Sequence, residues 1–228
     1  MKYKIVLFDI DDTLLTLESD GTWRKMFSEL LASVDLAATD EQYNTFISNN
    51  HRLWAQAGKG AIKFSDVFDN RFDLPFLQNC GVSAKELDER FQNMQKKETT
   101  PTEGAVSCCQ KLSEECDIYA ASNGKQDTQA ARVAASKLAP FLKDVYTSQR
   151  VQTLKPRKEF FDLILSDLHC ADKKQVLMVG DTYGEDVLGA YNYEIDSCWL
   201  NPSHAPVPDS NLCTYQVANL GELPDLIL

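Results

Sequence analysis

A short apolar run followed directly by a cluster of acids is the feature of this chain that most restricts its fold. Residues 5–8 (Ile-Val-Leu-Phe) have the length and composition of a buried strand, and Asp9, Asp11, Asp12 and Thr13 come next. Strands that are covered on both faces of a parallel sheet are apolar along their length. Ligands of open α/β sheets bind at the carboxyl ends of such strands. The sequence therefore predicts a parallel sheet with functional residues after its first strand.

Similar apolar runs recur along the chain and are separated by stretches with helical character. Strands that alternate with helices of crossover length predict an α/β fold, with a doubly wound parallel sheet that is covered by helices on both faces. The further predicted strands are residues 118–121, 145–147, 176–179 and 197–200, and the predicted helices are residues 104–115, 127–138, 158–168 and 185–192.

The region between the first and second predicted strands differs, because helical patterns occupy it without a competing strand pattern. Apolar residues within 23–31 recur at the spacing of one helical face. Thr39 predicts a capping box, Ser83 predicts another helix start, and residues 64–79 are also apolar at helical spacing. We predict a helical cap, residues 18–98, inserted into a domain formed by residues 1–17 and 99–228.

The composition excludes several classes of protein. A formal net charge of −11 disfavours nucleic acid polymers and anionic membranes as partners but leaves small phosphate esters possible. No apolar run approaches the roughly 20 residues of a membrane span, and the N-terminus lacks a signal-peptide pattern. The seven cysteines show no metal-ligand spacing, which predicts reduced, packed thiols. We expect a cytoplasmic protein, as a monomer or a homodimer.

Polar residues also follow the later strands. The Ser-Asn-Gly sequence at 122–124 can hold a phosphoryl group through side-chain and backbone donors, although such residues are common in turns. Asp181 and Asp186 follow the strand at 176–179, where helix capping is a competing explanation for Asp181. Lys155, before a predicted helix, would by itself be a surface residue. Carboxylates crowded at one sheet edge require a cation or a shared proton, so the combination predicts a functional site.

This series of residues resembles the haloacid-dehalogenase superfamily of phosphatases, which is defined by four motifs in this order. The resemblance implies a Rossmann-like core, with a doubly wound parallel sheet, and an inserted all-helical cap domain between the first two motifs. Asp9 and Asp11 match the first motif, Ser122 the second, Lys155 the third, and Asp181 with Asp186 the fourth.

The resemblance also implies a mechanism with Mg²⁺ as the cofactor, since carboxylate oxygens suit this cation. Asp9 would attack phosphorus and form an aspartyl-phosphate. Asp11 would act as general acid and then as general base, and Lys155 would stabilise the transferring group. The implied metal residues are Asp9, Asp11 through its backbone carbonyl, Asp181, and Asp186, which also orients Lys155. The implied substrate-binding residues are Thr13, Ser122, Asn123, Gly124 and, in the cap, Gly60.

Further stretches resemble a subgroup of pyrimidine 5′-nucleotidases, which implies a small phosphorylated metabolite, a pyrimidine nucleoside 5′-monophosphate, as substrate. Gly60 would then lie in a loop that approaches the substrate, with a simple turn between helices as the alternative. Asn50 either reads a base edge or satisfies a neighbour, and for Arg71 an ion pair with a cap carboxylate is favoured over a substrate contact. The matching stretches are Leu53-Trp54, residues 60–62, Arg71-Phe72, residues 177–182 and residues 198–201.

Other functions remain as alternatives. The chain could hydrolyse another small phosphate, such as a sugar phosphate or phosphoglycolate, or could be a phosphosugar mutase, which would retain Asp11. A dehalogenase needs no acid at that position, because its leaving group is not protonated. A receiver-like signalling module would be shorter and would lack the cap. A non-catalytic binding protein would tolerate the loss of any of four residues, and all four are present: Asp9, Asp11, Lys155 and Asp181.

Overall fold

The structure, a computed structural model, describes residues 2–19, 21–209 and 211–228. The chain divides into two compact units, which are named here the core unit (Met1–Thr16 with Thr99–Leu228) and the cap unit (Leu17–Glu98). Within the described ranges, no helix is both long enough and apolar enough to cross a membrane.

In the part of the core unit that the structure describes, six strands form one sheet, and every strand pair in it is parallel. The strand order β3-β2-β1-β4-β5-β6 confirms the predicted doubly wound α/β fold. The last strand was not predicted. Phe8 is in register with Ala120 on one side and Val179 on the other, so three strands end at the same edge. The strands are β1 (Ile5–Phe8), β2 (Asp117–Ser122), β3 (Leu142–Thr147), β4 (Val176–Gly180), β5 (Asp196–Leu200) and β6 (Tyr215–Val217).

Helices cover both faces of this sheet because successive residues of each strand point to opposite sides. Val6 and Phe8 belong to one apolar core, whereas Ile5 and Leu7 belong to the core on the other face. Among the described residues, the cap unit has four α-helices, α1 (Thr22–Ala32), α2 (Asp40–Gly58), α3 (Phe64–Asn70) and α4 (Ala84–Gln95), and the core unit has six, α5 (Ala105–Ser113), α6 (Gln126–Ala135), α7 (Ser148–Val151), α8 (Lys158–Asp167), α9 (Leu188–Tyr193) and α10 (Leu223–Ile227).

The cap unit has its own aromatic core, in which the rings of Phe46 and Phe72 stack with centroids 4.9 Å apart. The capping box predicted at Thr39 is confirmed at the start of α2. Residues 64–79, which are apolar at helical spacing, form two separate helical segments. α3 ends at Asn70, and a short 3-10 helix begins at Pro75, because a proline disfavours helical geometry in the residue before it.

The chain leaves and re-enters the core unit through paired backbone segments. The backbone N–H of Thr16 donates to the carbonyl of Thr100 at 2.9 Å, and Leu15 forms an isolated antiparallel bridge with Pro101. The two ends of the inserted region therefore begin side by side on the sheet domain.

Candidate active site

The acidic turn after β1 begins the site. The backbone N–H of Asp9 donates to the carbonyl of Val179 at 2.8 Å, so the β1–β4 pairing extends to this residue. Thr13 is completely buried, and its hydroxyl donates to Asp181 Oδ1 at 3.1 Å while accepting from the Asp181 backbone N–H at 3.0 Å. This reciprocal pair fixes the turn after β1 against the end of β4. The structure therefore gives Thr13 a positioning contact with Asp181.

Lys155 is 1% exposed and lies between two carboxylates. Its Nζ donates to Asp9 Oδ1 at 2.6 Å and to Asp186 Oδ1 at 2.7 Å. Burial lowers the pKa of Lys155, but the charges of Asp186 and Asp9 outweigh burial, and the net pKa is raised. The ammonium group therefore stays protonated at neutral pH. Two bonds with Asn123 hold its backbone, from Lys155 N–H to Oδ1 at 2.8 Å and from Nδ2 to the Lys155 carbonyl at 3.1 Å.

Three carboxylates, those of Asp9, Asp181 and Asp186, each place one oxygen within 4.8 Å of the others. Burial raises the pKa of Asp9 well above its usual value, and Asp186 and Asp181 add repulsion that Lys155 only partly offsets. Burial and repulsion from Asp186 raise the pKa of Asp181 to about 8. A divalent cation with oxygen ligands would relieve both effects, so the donor set fits Mg²⁺.

The turn after β2 holds the predicted phosphate-binding residues. Ser122 is buried, and its hydroxyl accepts from the backbone N–H of Gly124 at 3.1 Å. A Cβ on Gly124 would lie 2.6 Å from Nε2 of Gln129, so a larger residue would force the Gln129 side chain to shift. Glycine at this turn therefore lets α6 pack closely against it.

The carboxylate of Asp11 faces α6. Gln129 Nε2 donates to Asp11 Oδ2 at 2.7 Å, and Arg132 Nη1 donates to Oδ1. The Asp11 carboxylate is not among the three carboxylates that lie within metal-binding reach of one another, and its assignment to the metal through the backbone carbonyl stays a prediction. Gln129 and Arg132 were missed by sequence reasoning. Polar residues at i and i+3 of a helix that follows a motif are the available signal, but solvent-facing residues share it.

Glu185 is a further carboxylate that sequence reasoning missed. Asn123 Nδ2 donates to its Oε2 at 2.7 Å. Burial raises the pKa of Glu185 to about 7, with Lys155 opposing and Asp186 adding to the shift. Glu185 directly precedes Asp186 in a π-helical turn, Tyr183–Val187, where a regular helix was predicted. Both adjacent acids of this turn reach the site, Glu185 through Asn123 and Asp186 through Lys155.

The predicted cap residues lie in the cap unit. Gly60 follows α2 with a φ of 75°, and its role in substrate binding stays a prediction. Arg71 Nε donates to Asp88 Oδ1 at 2.5 Å, with both side chains buried, which confirms the favoured ion pair with a cap carboxylate. Asn50 is buried, and its Oδ1 has no hydrogen-bond partner within the described part of the chain. The satisfied-neighbour interpretation of Asn50 is therefore incomplete for this oxygen.

Comparison with known families agrees with this geometry. The sequence profile described as haloacid dehalogenase-like hydrolase matches residues 3–192. The chain belongs to the haloacid dehalogenase-like hydrolases. The match covers the turn after β1, α6, Lys155 and the end of β4, which together contribute the residues described above. The protein is therefore an enzyme of this hydrolase family.

Two curated relatives match over nearly their whole length. The pyrimidine 5′-nucleotidase YjjG of Escherichia coli strain K12 is 31% identical over 227 residues, which cover 100% of this chain and 99% of the relative. The pyrimidine 5′-nucleotidase PynA of Streptococcus pneumoniae is 29% identical over 229 residues, with 100% and 96% covered. Among solved structures, the haloacid dehalogenase-like hydrolase YfnB of Bacillus subtilis, bound to magnesium, superposes with a TM-score of 0.87 at 25% identity, covering 100% of this chain and 99% of that chain.

Proposed function

We propose that the protein is a magnesium-dependent phosphomonoester hydrolase that forms an aspartyl-phosphate on Asp9. The contact of Lys155 Nζ with both Asp9 and Asp186, beside Asp181, carries this proposal. An ammonium group beside a carboxylate at a strand end holds the nucleophile in place and provides positive charge for a phosphate ester. Without a substrate, this positive charge neutralises the acids themselves.

In the first step, an oxygen of Asp9 attacks phosphorus, and the bond from phosphorus to the ester oxygen breaks. Asp11 donates its proton to the departing oxygen, so the alcohol leaves in neutral form. Lys155, the hydroxyl of Ser122 and backbone donors of the turn after β2 would stabilise the negative charge that spreads over the phosphoryl oxygens.

In the second step, Asp11 takes a proton from a water molecule, whose oxygen attacks phosphorus. The phosphorus–oxygen bond to Asp9 breaks, which releases phosphate and restores both acids to their starting forms. Asp9, Asp181 and the backbone carbonyl of Asp11 would hold Mg²⁺, whose charge offsets that of the phosphoryl group. Asp186 would orient Lys155 and water at this metal.

A pyrimidine nucleoside 5′-monophosphate is the proposed substrate. The support is the similarity to two pyrimidine 5′-nucleotidases across essentially the whole chain, cap region included. Residues of the core edge are engaged with one another and with the proposed phosphate and metal, so we assign recognition of the base to the cap region. A tenfold preference over purine nucleotides requires only about 1.4 kcal/mol, within the reach of one or two hydrogen bonds.

The test is a substrate panel with Mg²⁺, comprising pyrimidine and purine monophosphates, sugar phosphates, phosphoglycolate and 4-nitrophenyl phosphate. We expect kcat/KM for uridine or thymidine monophosphate to exceed that for AMP and GMP by at least about tenfold. Preference for a sugar phosphate or phosphoglycolate would overturn the nucleotide assignment alone. Activity that depends on a bisphosphate primer would instead indicate a mutase.

Asp9→Asn tests the mechanism in the same panel. The variant should lose both hydrolysis and the covalent phosphoprotein, because the carboxamide cannot act as the nucleophile. Asp11→Asn should slow hydrolysis of nucleotides by roughly 10²–10⁴, the usual contribution of a positioned acid–base group. Phosphate still trapped on the Asp9→Asn protein would mean that another residue is the nucleophile.

A further inference from the structure

α6 holds both oxygens of the Asp11 carboxylate. Gln129 and Arg132 lie one turn apart on this helix, are 1% and 0% exposed, and donate to different oxygens of Asp11. Arg132 Nη1 also donates to Gln129 Oε1 at 2.9 Å, which joins the two donors to each other. Rotation of the carboxylate would therefore break at least one hydrogen bond in a buried network.

The same network reaches the turn that is proposed to bind phosphate. Nε2 of Gln129 lies 3.1 Å from the hydroxyl of Ser122 as well as 2.7 Å from Asp11 Oδ2. One amide group therefore touches both the proposed acid–base residue and a proposed phosphate ligand. The Gln129 amide therefore couples the position of Asp11, the proposed proton donor, to the position of the phosphoryl group that Ser122 would bind.

A purely structural role would not require Gln129 and Arg132 to bind the same carboxylate. Arg132 could be neutralised by any carboxylate, and a buried glutamine needs only one acceptor for its amide. Here Gln129 donates to one oxygen of Asp11 and Arg132 donates to the other, although the Asp11 side chain is 33% exposed. The two donors therefore set the direction of a carboxylate at an open site. Proton transfer requires the acid within about 2.6–3.2 Å of the departing oxygen, so its direction has a kinetic consequence.

We infer that Gln129 and Arg132 are positioning residues that fix the direction of the carboxylate of Asp11, the proposed acid and base. The inference rests on the proposed function. It implies that loss of either residue slows hydrolysis most for substrates whose leaving group must be protonated. A nucleoside leaves as a poor alkoxide and needs protonation, whereas 4-nitrophenolate departs without it.

Gln129→Met tests the inference, because it removes the amide and keeps a similar volume. kcat/KM covers the steps up to departure of the leaving group and is unaffected by the later attack of water. We expect kcat/KM for the nucleotide to fall by about 10- to 100-fold, the order of effect of a misplaced reacting group. The fall for 4-nitrophenyl phosphate should be smaller, because it reflects only the lost contact between Gln129 and Ser122. Arg132→Met should show the same selectivity, and Arg132→Lys, which keeps one cationic donor, should recover part of it.

Gln126→Met is the matched control. Gln126 lies on the same helix, accepts from Thr147 Oγ1 at 2.7 Å and donates to the Val145 carbonyl at 3.2 Å, with no bond to Asp11. It should lower thermal stability without changing the ratio of the two substrates. An equal loss for both substrates in Gln129→Met, or an equal change of ratio in Gln126→Met, would overturn the inference. A wild-type protein that hydrolyses neither compound would overturn the proposed function and the inference with it.

Discussion

Replacing Gly180 with alanine should disturb the metal and lysine site through one methyl group. Gly180 ends β4, directly before Asp181, and an added Cβ would lie 2.6 Å from the Cβ of Asp186 and closer still to its carboxylate. The Asp186 side chain is 1% exposed and bonded to Lys155 Nζ at 2.7 Å and to the Thr182 backbone N–H at 3.0 Å. Because the overlap includes its Cβ, a change of rotamer cannot relieve it.

The size of the effect follows from these distances. Carbon atoms pack at about 3.5–4.0 Å, so Asp186 has to move by roughly 1 Å. A shift of this size weakens a hydrogen bond to a charged group, which contributes about 1.5–3 kcal/mol. A reacting or positioning group displaced by about 1 Å costs on the order of 10² in rate. Loss of a supporting contact at a metal site lowers affinity by about 10- to 100-fold.

The assay is hydrolysis as a function of Mg²⁺ concentration. Gly180→Ala should raise the Mg²⁺ concentration for half-maximal activity by about 10- to 100-fold and lower kcat/KM by about 10². Gly184→Ala is the matched control, because the same change in the following turn meets no heavy atom within 4 Å. Thermal unfolding of both variants separates a site effect from loss of folded protein. A wild-type Mg²⁺ curve for Gly180→Ala, or an equal shift for Gly184→Ala, would refute this reasoning.

Excess EDTA should abolish hydrolysis, and added Mg²⁺ should restore it; full activity in EDTA would contradict the metal assignment. Arg71→Met should cost about 3–5 kcal/mol of unfolding free energy in urea by removing the cation beside buried Asp88, and the double variant with Asp88→Leu should regain most of it. Burial raises the pKa of Asp196, but its hydrogen bonds with Lys2, Tyr3 and Thr214 and the charge of Lys2 together outweigh burial, so the net pKa is lowered. Asp196 therefore stabilises the fold above about pH 3.9 and loses this contribution as the pH falls, so the stability difference between wild type and Asp196→Asn should shrink below about pH 4. A difference that is unchanged between pH 7 and pH 3 would contradict this.

The fold was predictable to the extent that burial sets the sequence pattern. The five longer strands are apolar where helices cover them, so their positions could be predicted. β6 has three residues and pairs through its backbone at the edge of the sheet, so its sequence shows almost no hydrophobic pattern. The helical spacing of residues 64–79 was genuine, but Pro75 acts on backbone geometry, which a hydrophobic pattern does not show.

The candidate site was predictable where residues follow strand ends. The carboxyl ends of parallel strands meet at one edge, so the acids after β1 and β4 could be expected to lie together. The direction of the Asp11 carboxylate could not, because it depends on how α6 packs against the turn. Gln129 and Arg132 show no sequence feature that separates a buried donor from a solvated one, so only the three-dimensional structure identifies them.

The backbone pairing of Thr16 with Thr100 has a consequence for how such an enzyme can change over time. The entropy of closing a loop grows slowly with its length, by about 0.6 kcal/mol for each doubling, so a host with adjacent exit and entry points tolerates inserts of very different size. The sheet, the proposed nucleophile Asp9 and Lys155 lie outside the inserted segment. The inserted segment can therefore be exchanged without altering the sheet. Exchange of this segment could redirect the hydrolase to a different substrate while the residues at the edge of the sheet are inherited unchanged.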